Sequence, residues 1–252
     1  MSLDFLILAC LVCVFAGFAL GVWHSRQMVE AALKRPVEVT VTPELQVIPE
    51  PKTSLTQTAQ MMTVPVRAYD LATEHYFLGQ GWAWDDTRIV TNAHVVDGVA
   101  VAEHVEVFVN GAWIAAKSVV WSDKADVALI RLPQDHNVPS PSFVGLPSLG
   151  QKVCLYQWAE NRLSSGKVTS AEEETHKGHK GQYLTVSIPA RVGDSGSPVL
   201  TQQGELAGML SIVNLTEEGS DSYSYMVSAM CIRQTVNTLL SDDDGSIKKP
   251  SG

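Results

Sequence analysis

Gly193-Asp194-Ser195-Gly196-Ser197-Pro198 sets a serine between two glycines just ahead of a short apolar run, Pro198-Val199-Leu200. Glycine, aspartate and serine favour tight turns for local reasons, so alone this segment could be only a turn entering a strand. It also lets the backbone N–H groups of Gly193 and Ser195 face one point, which is how an oxyanion is stabilised during acyl transfer. A serine hydroxyl is a poor nucleophile at neutral pH. It needs a base to take its proton and a carboxylate to orient that base. Two upstream segments carry such groups: His94 in Thr91-Asn92-Ala93-His94-Val95-Val96 and Asp126 in Asp126-Val127-Ala128-Leu129-Ile130. Taken singly, His94 reads as a core histidine beside two valines and Asp126 as a cap on a buried strand. Together, in the order His, Asp, Ser, the three segments agree far better than chance allows.

The sequence around them is that of an all-β domain. From about Val64, short apolar runs alternate with polar, glycine-containing turns. Strands are expected over 64–69, 81–84, 88–91, 105–109, 112–115 and 127–132, and after Leu146 over 152–156, 166–171, 182–188, 198–200, 205–213 and 222–228. Many short strands of this kind build a sandwich or a barrel. One late helix is expected over 233–240, followed by a solvated, disordered tail over 241–252. Asn137-Val138-Pro139-Ser140-Pro141 sits midway, where two barrels would be joined, with the junction near 135–148.

The chain has 252 residues, 45% of them hydrophobic, enough for one large domain or two closely packed halves. Its net charge of −9 argues against nucleic acid as a partner. Cys10 and Cys13 lie in an apolar run, and Cys154 and Cys231 read as buried free thiols in preference to a disulfide. His176 and His179, with Lys177 and Lys180, read as a solvated loop, since no companion ligand completes a metal site.

Residues 5–23 are uncharged and apolar, and at about 1.5 Å per residue they reach roughly the thickness of a bilayer core. The chain starts Met-Ser-Leu-Asp and lacks the basic opening of a secretory signal, so residues 1–24 read as a transmembrane anchor. Gly17 and Gly21 leave a homo-oligomer open through close helix contact, with ordinary membrane glycine use the simpler reading. Arg26, Lys34 and Arg35 follow the span, which by charge alone leaves the C-terminal part in the cytoplasm, but three charges leave the side open. A short helix over 25–35 and a tether interrupted by Pro36, Pro43, Pro49 and Pro51 then lead to the β-rich domain at about residue 62, with 53–60 as further slack.

On these motifs the chain resembles the chymotrypsin-like serine proteases, and within them the HtrA/Deg branch. The resemblance runs from Gly79-Gln80-Gly81-Trp82 through the His94 segment, then Ser122 to Leu132, then Gly193 to Leu200 and Gly204 to Gly208. It implies two six-stranded antiparallel β-barrels with a C-terminal helix over 62–240. It further implies His94 as general base, Asp126 as its orienting carboxylate, Ser195 as nucleophile, and the N–H groups of Gly193 and Ser195 as the oxyanion hole. Pro189, Ser211, Ile212 and Val213 would line the primary substrate pocket. No acidic residue stands at its base, and Gly208-Met209-Leu210 lacks the histidine of glutamate-specific relatives. A small or medium apolar residue before the cut is therefore expected.

Such an enzyme acts on proteins or peptides without metal or organic cofactor. Two departures from the HtrA pattern stand out: Asp194 where that branch carries Asn, and Ser197 where it carries Gly. A buried Asp194 requires a partner, and no Ile-Val-Gly-Gly activation sequence precedes the barrel to supply an ammonium; Arg191 is the near candidate. After 240 too few residues remain for a PDZ domain. The competing readings are a catalytically silent peptide-binding module and a viral or phage polyprotein-processing protease.

Overall fold

Val105, Val107 and Val109 are buried while Glu106 and Phe108 between them are partly open, the two-residue period of a strand with one face on a core. Val127 to Ile130 are buried without interruption, because their strand has hydrophobic neighbours on both faces. The computed structural model describes residues 53–122, 124–170, 175–176, 179–180, 183–213 and 224–242. The expected membrane span, the helix over 25–35, the proline tether and the tail beyond 242 lie outside the described residues. Among the described residues no helix is long and apolar enough to cross a membrane.

The first half contains β1 (Val64–Asp70), β2 (His75–Ala83), β3 (Arg88–Thr91), β4 (Val105–Val109), β5 (Ala112–Ala115), β6 (Ser118–Ser122) and β7 (Val127–Arg131). They form one antiparallel sheet in the order β5-β4-β1-β2-β3-β7-β6. The second half contains β8 (Lys152–Gln157), β9 (Arg162–Ser170), β12 (Tyr183–Val186), β13 (Pro198–Thr201), β14 (Leu206–Val213) and β15 (Ser224–Ser228). Those six close into a barrel, and a small hairpin of β10 (Thr175–His176) and β11 (His179–Lys180) stands apart from it.

The second half is thus the expected six-stranded barrel; the first is corrected to a seven-stranded sheet that leaves β5 and β6 as its ends. The cause is the corner between them. Ala116 N–H donates to Val105 O at 2.8 Å and Lys117 N–H to Arg131 O at 2.7 Å, so consecutive residues bond opposite flanks. The chain passes from β4 to β7 there, and no ladder joins β5 to β6 among the described residues.

Among the described residues three α-helices accompany the strands: α1 (Leu55–Met62), α2 (Ala93–Val96) and α3 (Ala229–Asp242). The first corrects the reading of 53–60 as slack. Ser54 accepts from Gln57 N–H at 3.2 Å while the Gln57 side chain accepts from Ser54 N–H at 3.0 Å, a capping box that starts the helix. Ala59 is buried in a central core shared by Trp82 and Leu129 of the sheet, Tyr156, Leu200 and Met209 of the barrel, and Ile232, Val236 and Leu239 of α3. That core joins the two halves. Each half also has its own apolar interior.

Candidate active site

His94 stands on the one-turn helix α2, whose Ala93, Val95 and Val96 are all buried and so fix the turn against the first half's core. The histidine itself is partly open. Asn92, the residue before this turn, is fully buried and donates through Nδ2 to the carbonyl of Asp126 at 3.0 Å. Asp126 lies at the entry to β7 with φ +50, a left-handed conformation that aspartate and asparagine tolerate better than most residues. The Asn92 bond holds that conformation and aims the carboxylate back at His94.

The carboxylate is buried and well supplied with donors. Its Oδ1 accepts from His94 N–H at 3.1 Å, and Nδ1 of the ring lies 3.0 Å from each carboxylate oxygen. Its Oδ2 also accepts the hydroxyl of Ser211. A carboxylate there requires Nδ1 to carry the proton, which leaves Nε2 as the ring's basic nitrogen. Burial, and behind it the charge of Asp126, pushes the Tyr183 phenol well above its ordinary range.

Ser195 follows a tight turn. Asp194 N–H donates to Arg191 O at 3.0 Å, and Ser197 donates to Asp194 O through both its N–H at 3.1 Å and its hydroxyl at 2.6 Å. Gly196 has φ +89, and a Cβ on it would sit 1.9 Å from Gln80 O, so β2 passes too close for any side chain. Gly193 has φ +97, with open space where a side chain would stand. Among the described residues, no acceptor takes the N–H of Gly193 or of Ser195. The Ser195 hydroxyl donates to Ser211 O at 3.1 Å, so Ser211 touches Asp126 through its side chain and Ser195 through its backbone.

The sequence assigns Ser211 to the substrate pocket; in the structure it is buried, with its hydroxyl on Asp126 and its carbonyl accepting from Ser195. Pro189 is exposed beside the turn, with its carbonyl held by Gln157 Nε2 at 3.2 Å and Ser164 Oγ at 3.0 Å. The side chains of Ile212 and Val213 lie outside the described residues, as do those of His176 and His179. Cys154 and Cys231 are free thiols.

Arg191 does not neutralise Asp194. Its guanidinium is largely exposed and pairs with Glu160; only its backbone N–H reaches the Asp194 carboxylate, at 2.8 Å. The partners are instead two glutamines that sequence reasoning missed, Gln80 on Oδ1 at 3.0 Å and Gln157 on Oδ2 at 2.7 Å. Gln80 carried a faint signal, its place between Gly79 and Gly81. Gln157 carried none, since its partner is 37 residues away.

The sequence profile of the trypsin-like peptidase domain matches residues 79–209. Among curated proteins, the chain is 25% identical over 195 residues to a probable periplasmic serine endoprotease DegP-like of Halomonas elongata, covering 75% of this chain and 40% of that protein. It is 25% identical over 167 residues to the putative protease Do-like 12, mitochondrial, of Arabidopsis thaliana, covering 59% of this chain and 32% of that protein. The chain therefore spans less than half the length of these relatives. Among solved structures, the active form of the Rv3671c protease from M. tuberculosis superposes with a TM-score of 0.66 at 19% identity, covering 86% of this chain and 96% of that one. A serine endoprotease from Yersinia pestis gives a TM-score of 0.61 at 21% identity, covering 77% and 69%. The fold is chymotrypsin-like.

Proposed function

Because this chain belongs to the trypsin-like peptidase domain family, we propose that it is a serine endopeptidase working through Ser195, His94 and Asp126. The observation that carries this reading is the buried Asp126 carboxylate held 3.0 Å from Nδ1 of His94 and ahead of a glycine-flanked serine. For attack, the Ser195 hydroxyl rotates from Ser211 O onto Nε2 of His94, which takes its proton as the oxygen adds to the scissile carbonyl. The negative oxygen that forms is met by the N–H groups of Gly193 and Ser195. His94 returns the proton to the departing amine, leaving an acyl-enzyme, and water repeats the sequence to release the acid. Asp126 stays ionised throughout and stabilises the imidazolium.

Protein chains with a small or medium apolar residue before the cut are the proposed substrates, taken in a pocket beside Pro189. Residues 5–23 tether the enzyme to a membrane and confine it to substrates near the bilayer. The side it faces is read by a reporter fused after Gly252: the basic residues following the span predict the cytoplasm, whereas one relative is described as periplasmic.

The test is casein cleavage by the full-length protein in detergent. The wild type should cleave, and His94→Ala and Ser195→Ala should each lose about 10³-fold or more. A wild type that binds casein without cleaving it would instead make this a peptide-binding module.

A further inference from the structure

Asp194 poses a problem that the reaction does not solve. Its carboxylate is buried, and among the described residues no cation touches it. A buried carboxylate without a counter-ion must be met by several hydrogen bonds, and here they come from two primary amides and one backbone N–H. Gln80 Nε2 reaches Asp194 Oδ1 at 3.0 Å and Gly193 O at 3.4 Å. Gln157 Nε2 reaches Asp194 Oδ2 at 2.7 Å and Pro189 O at 3.2 Å. Arg191 N–H adds a bond at 2.8 Å from the middle of the same loop.

Each amide thus ties the carboxylate to a backbone carbonyl, one at either end of the segment from Pro189 to Gly193. Gln80 thus restrains the carbonyl of Gly193, the residue whose N–H is proposed for the oxyanion hole. The two glutamines arrive from opposite sides: Gln80 from β2 of the first sheet and Gln157 from the end of β8 in the barrel. Gln80 adds a backbone bond, its N–H donating to Ser195 O at 2.7 Å.

The amide orientations follow from the acceptors. Turning either amide over would set its oxygen against the carboxylate, and as they stand both oxygens, Gln80 Oε1 and Gln157 Oε1, are buried without a partner among the described residues. Two orphaned buried acceptors are unfavourable. Keeping them is what aiming both amides' donors at the loop requires.

We propose that Gln80 and Gln157 are positioning residues that clamp Asp194 from the two halves of the domain and so hold the Pro189–Ser195 loop in its oxyanion-accepting shape. The clamp takes the place of a cation, so the site is assembled as soon as the halves dock, without a new N-terminus. This rests on the peptidase reading above.

The experiment uses the full-length protein in detergent with p-nitrophenyl acetate as acylating probe, comparing wild type, Ser195→Ala, Gln80→Met, Gln157→Met and Gln157→Glu. The burst amplitude counts competent sites and the burst rate reports acylation at each one. A loop that fluctuates quickly out of shape slows the burst by the fraction of time it is competent and leaves the amplitude intact. A merely structural role lowers the amplitude and leaves the rate. The expected result is a maximal burst rate at least tenfold lower in Gln80→Met and Gln157→Met, with the probe concentration that gives half-maximal burst rate within about twofold of wild type and helical and sheet circular dichroism retained. Gln157→Glu, which sets a second carboxylate against Asp194, should be slower than Gln157→Met.

Wild-type burst rates in both methionine variants overturn the proposal, as does an amplitude-only loss or a failure of both to fold, which would make the amides props of the domain instead of the loop. A wild type with no Ser195-dependent burst rejects the peptidase reading itself, and the clamp with it.

Discussion

Asp126→Asn separates the charge of this residue from its shape. Position 126 has φ +50, which asparagine accepts about as readily as aspartate, and the carbonyl bond from Asn92 survives the change. The backbone should therefore stay where it is. The new amide can keep an oxygen on His94 N–H and Nδ1 and turn its nitrogen toward Ser211, whose hydroxyl can reorient to accept. What disappears is the negative charge beside the imidazolium. Two unit charges 3.0 Å apart attract by about 5 kcal/mol at an effective dielectric near 20, and at about 1.4 kcal/mol per decade this is roughly three to four orders of magnitude in rate. The assay is kcat/KM on a quenched peptide substrate, with the melting temperature followed alongside. The expectation is about a 10³- to 10⁴-fold loss with only a small change in Tm. Asp126→Ala should lose as much activity and also be less stable, by about 1–2 kcal/mol for the left-handed backbone alone, besides stranding the Ser211 and His94 donors. An Asp126→Asn variant within tenfold of wild type would refute the assignment of Asp126.

Three other expectations follow from the same structure. Gly196→Ala drives a methyl to within 1.9 Å of Gln80 O at φ +89; it should abolish activity and cost at least about 3 kcal/mol of stability by denaturant unfolding, and a stable, active variant would contradict the packing of Gly196 on β2. Cys154 is buried, and burial pushes its thiol up from 9.0 to about 11; the native protein should resist iodoacetamide at pH 8 at this site and react in urea. The unfolded chain releases that proton first, so stability should fall as pH rises from 9.0 toward 11, and Cys154→Ala should flatten the fall. Ser54→Ala removes the capping box of α1 and should cost about 1 kcal/mol in thermal unfolding while leaving turnover unchanged; no change in stability would mean that the capping box does not hold α1.

His94, Asp126 and Ser195 were legible because each sits in a short segment whose residue types suit one chemical role, and the structure brings His94 onto Asp126 and places Ser195 against Ser211. The closed barrel and most strands were legible for the same local reason. Strand β6 was not: Val119, Val120 and Trp121 make only a short apolar run between two serines, and what defines it as a strand is its pairing with β7. The outer part of β2 was missed because His75 to Leu78 are exposed, and what holds them is pairing with β1, including the Tyr69–Tyr76 contact at 4.9 Å. Helix α1 is only eight residues long, yet Ser54 and Gln57 were a readable start signal. The partner of Asp194 was beyond reach. Proximity in sequence favoured Arg191, but burial excludes its long cationic side chain, and the glutamines that replace it lie 114 and 37 residues away.

The proposed reaction stands or falls on Ser195 being a nucleophile activated by His94. A fluorophosphonate probe reacts with a serine only where a base and an oxyanion site attend it. The decisive measurement is labelling of the full-length protein with that probe, followed by peptide mapping by mass spectrometry. One adduct is expected, on Ser195, lost in Ser195→Ala and slowed at least 100-fold in His94→Ala. Labelling of Ser195→Ala equal to wild type, or an adduct on another residue, would contradict it.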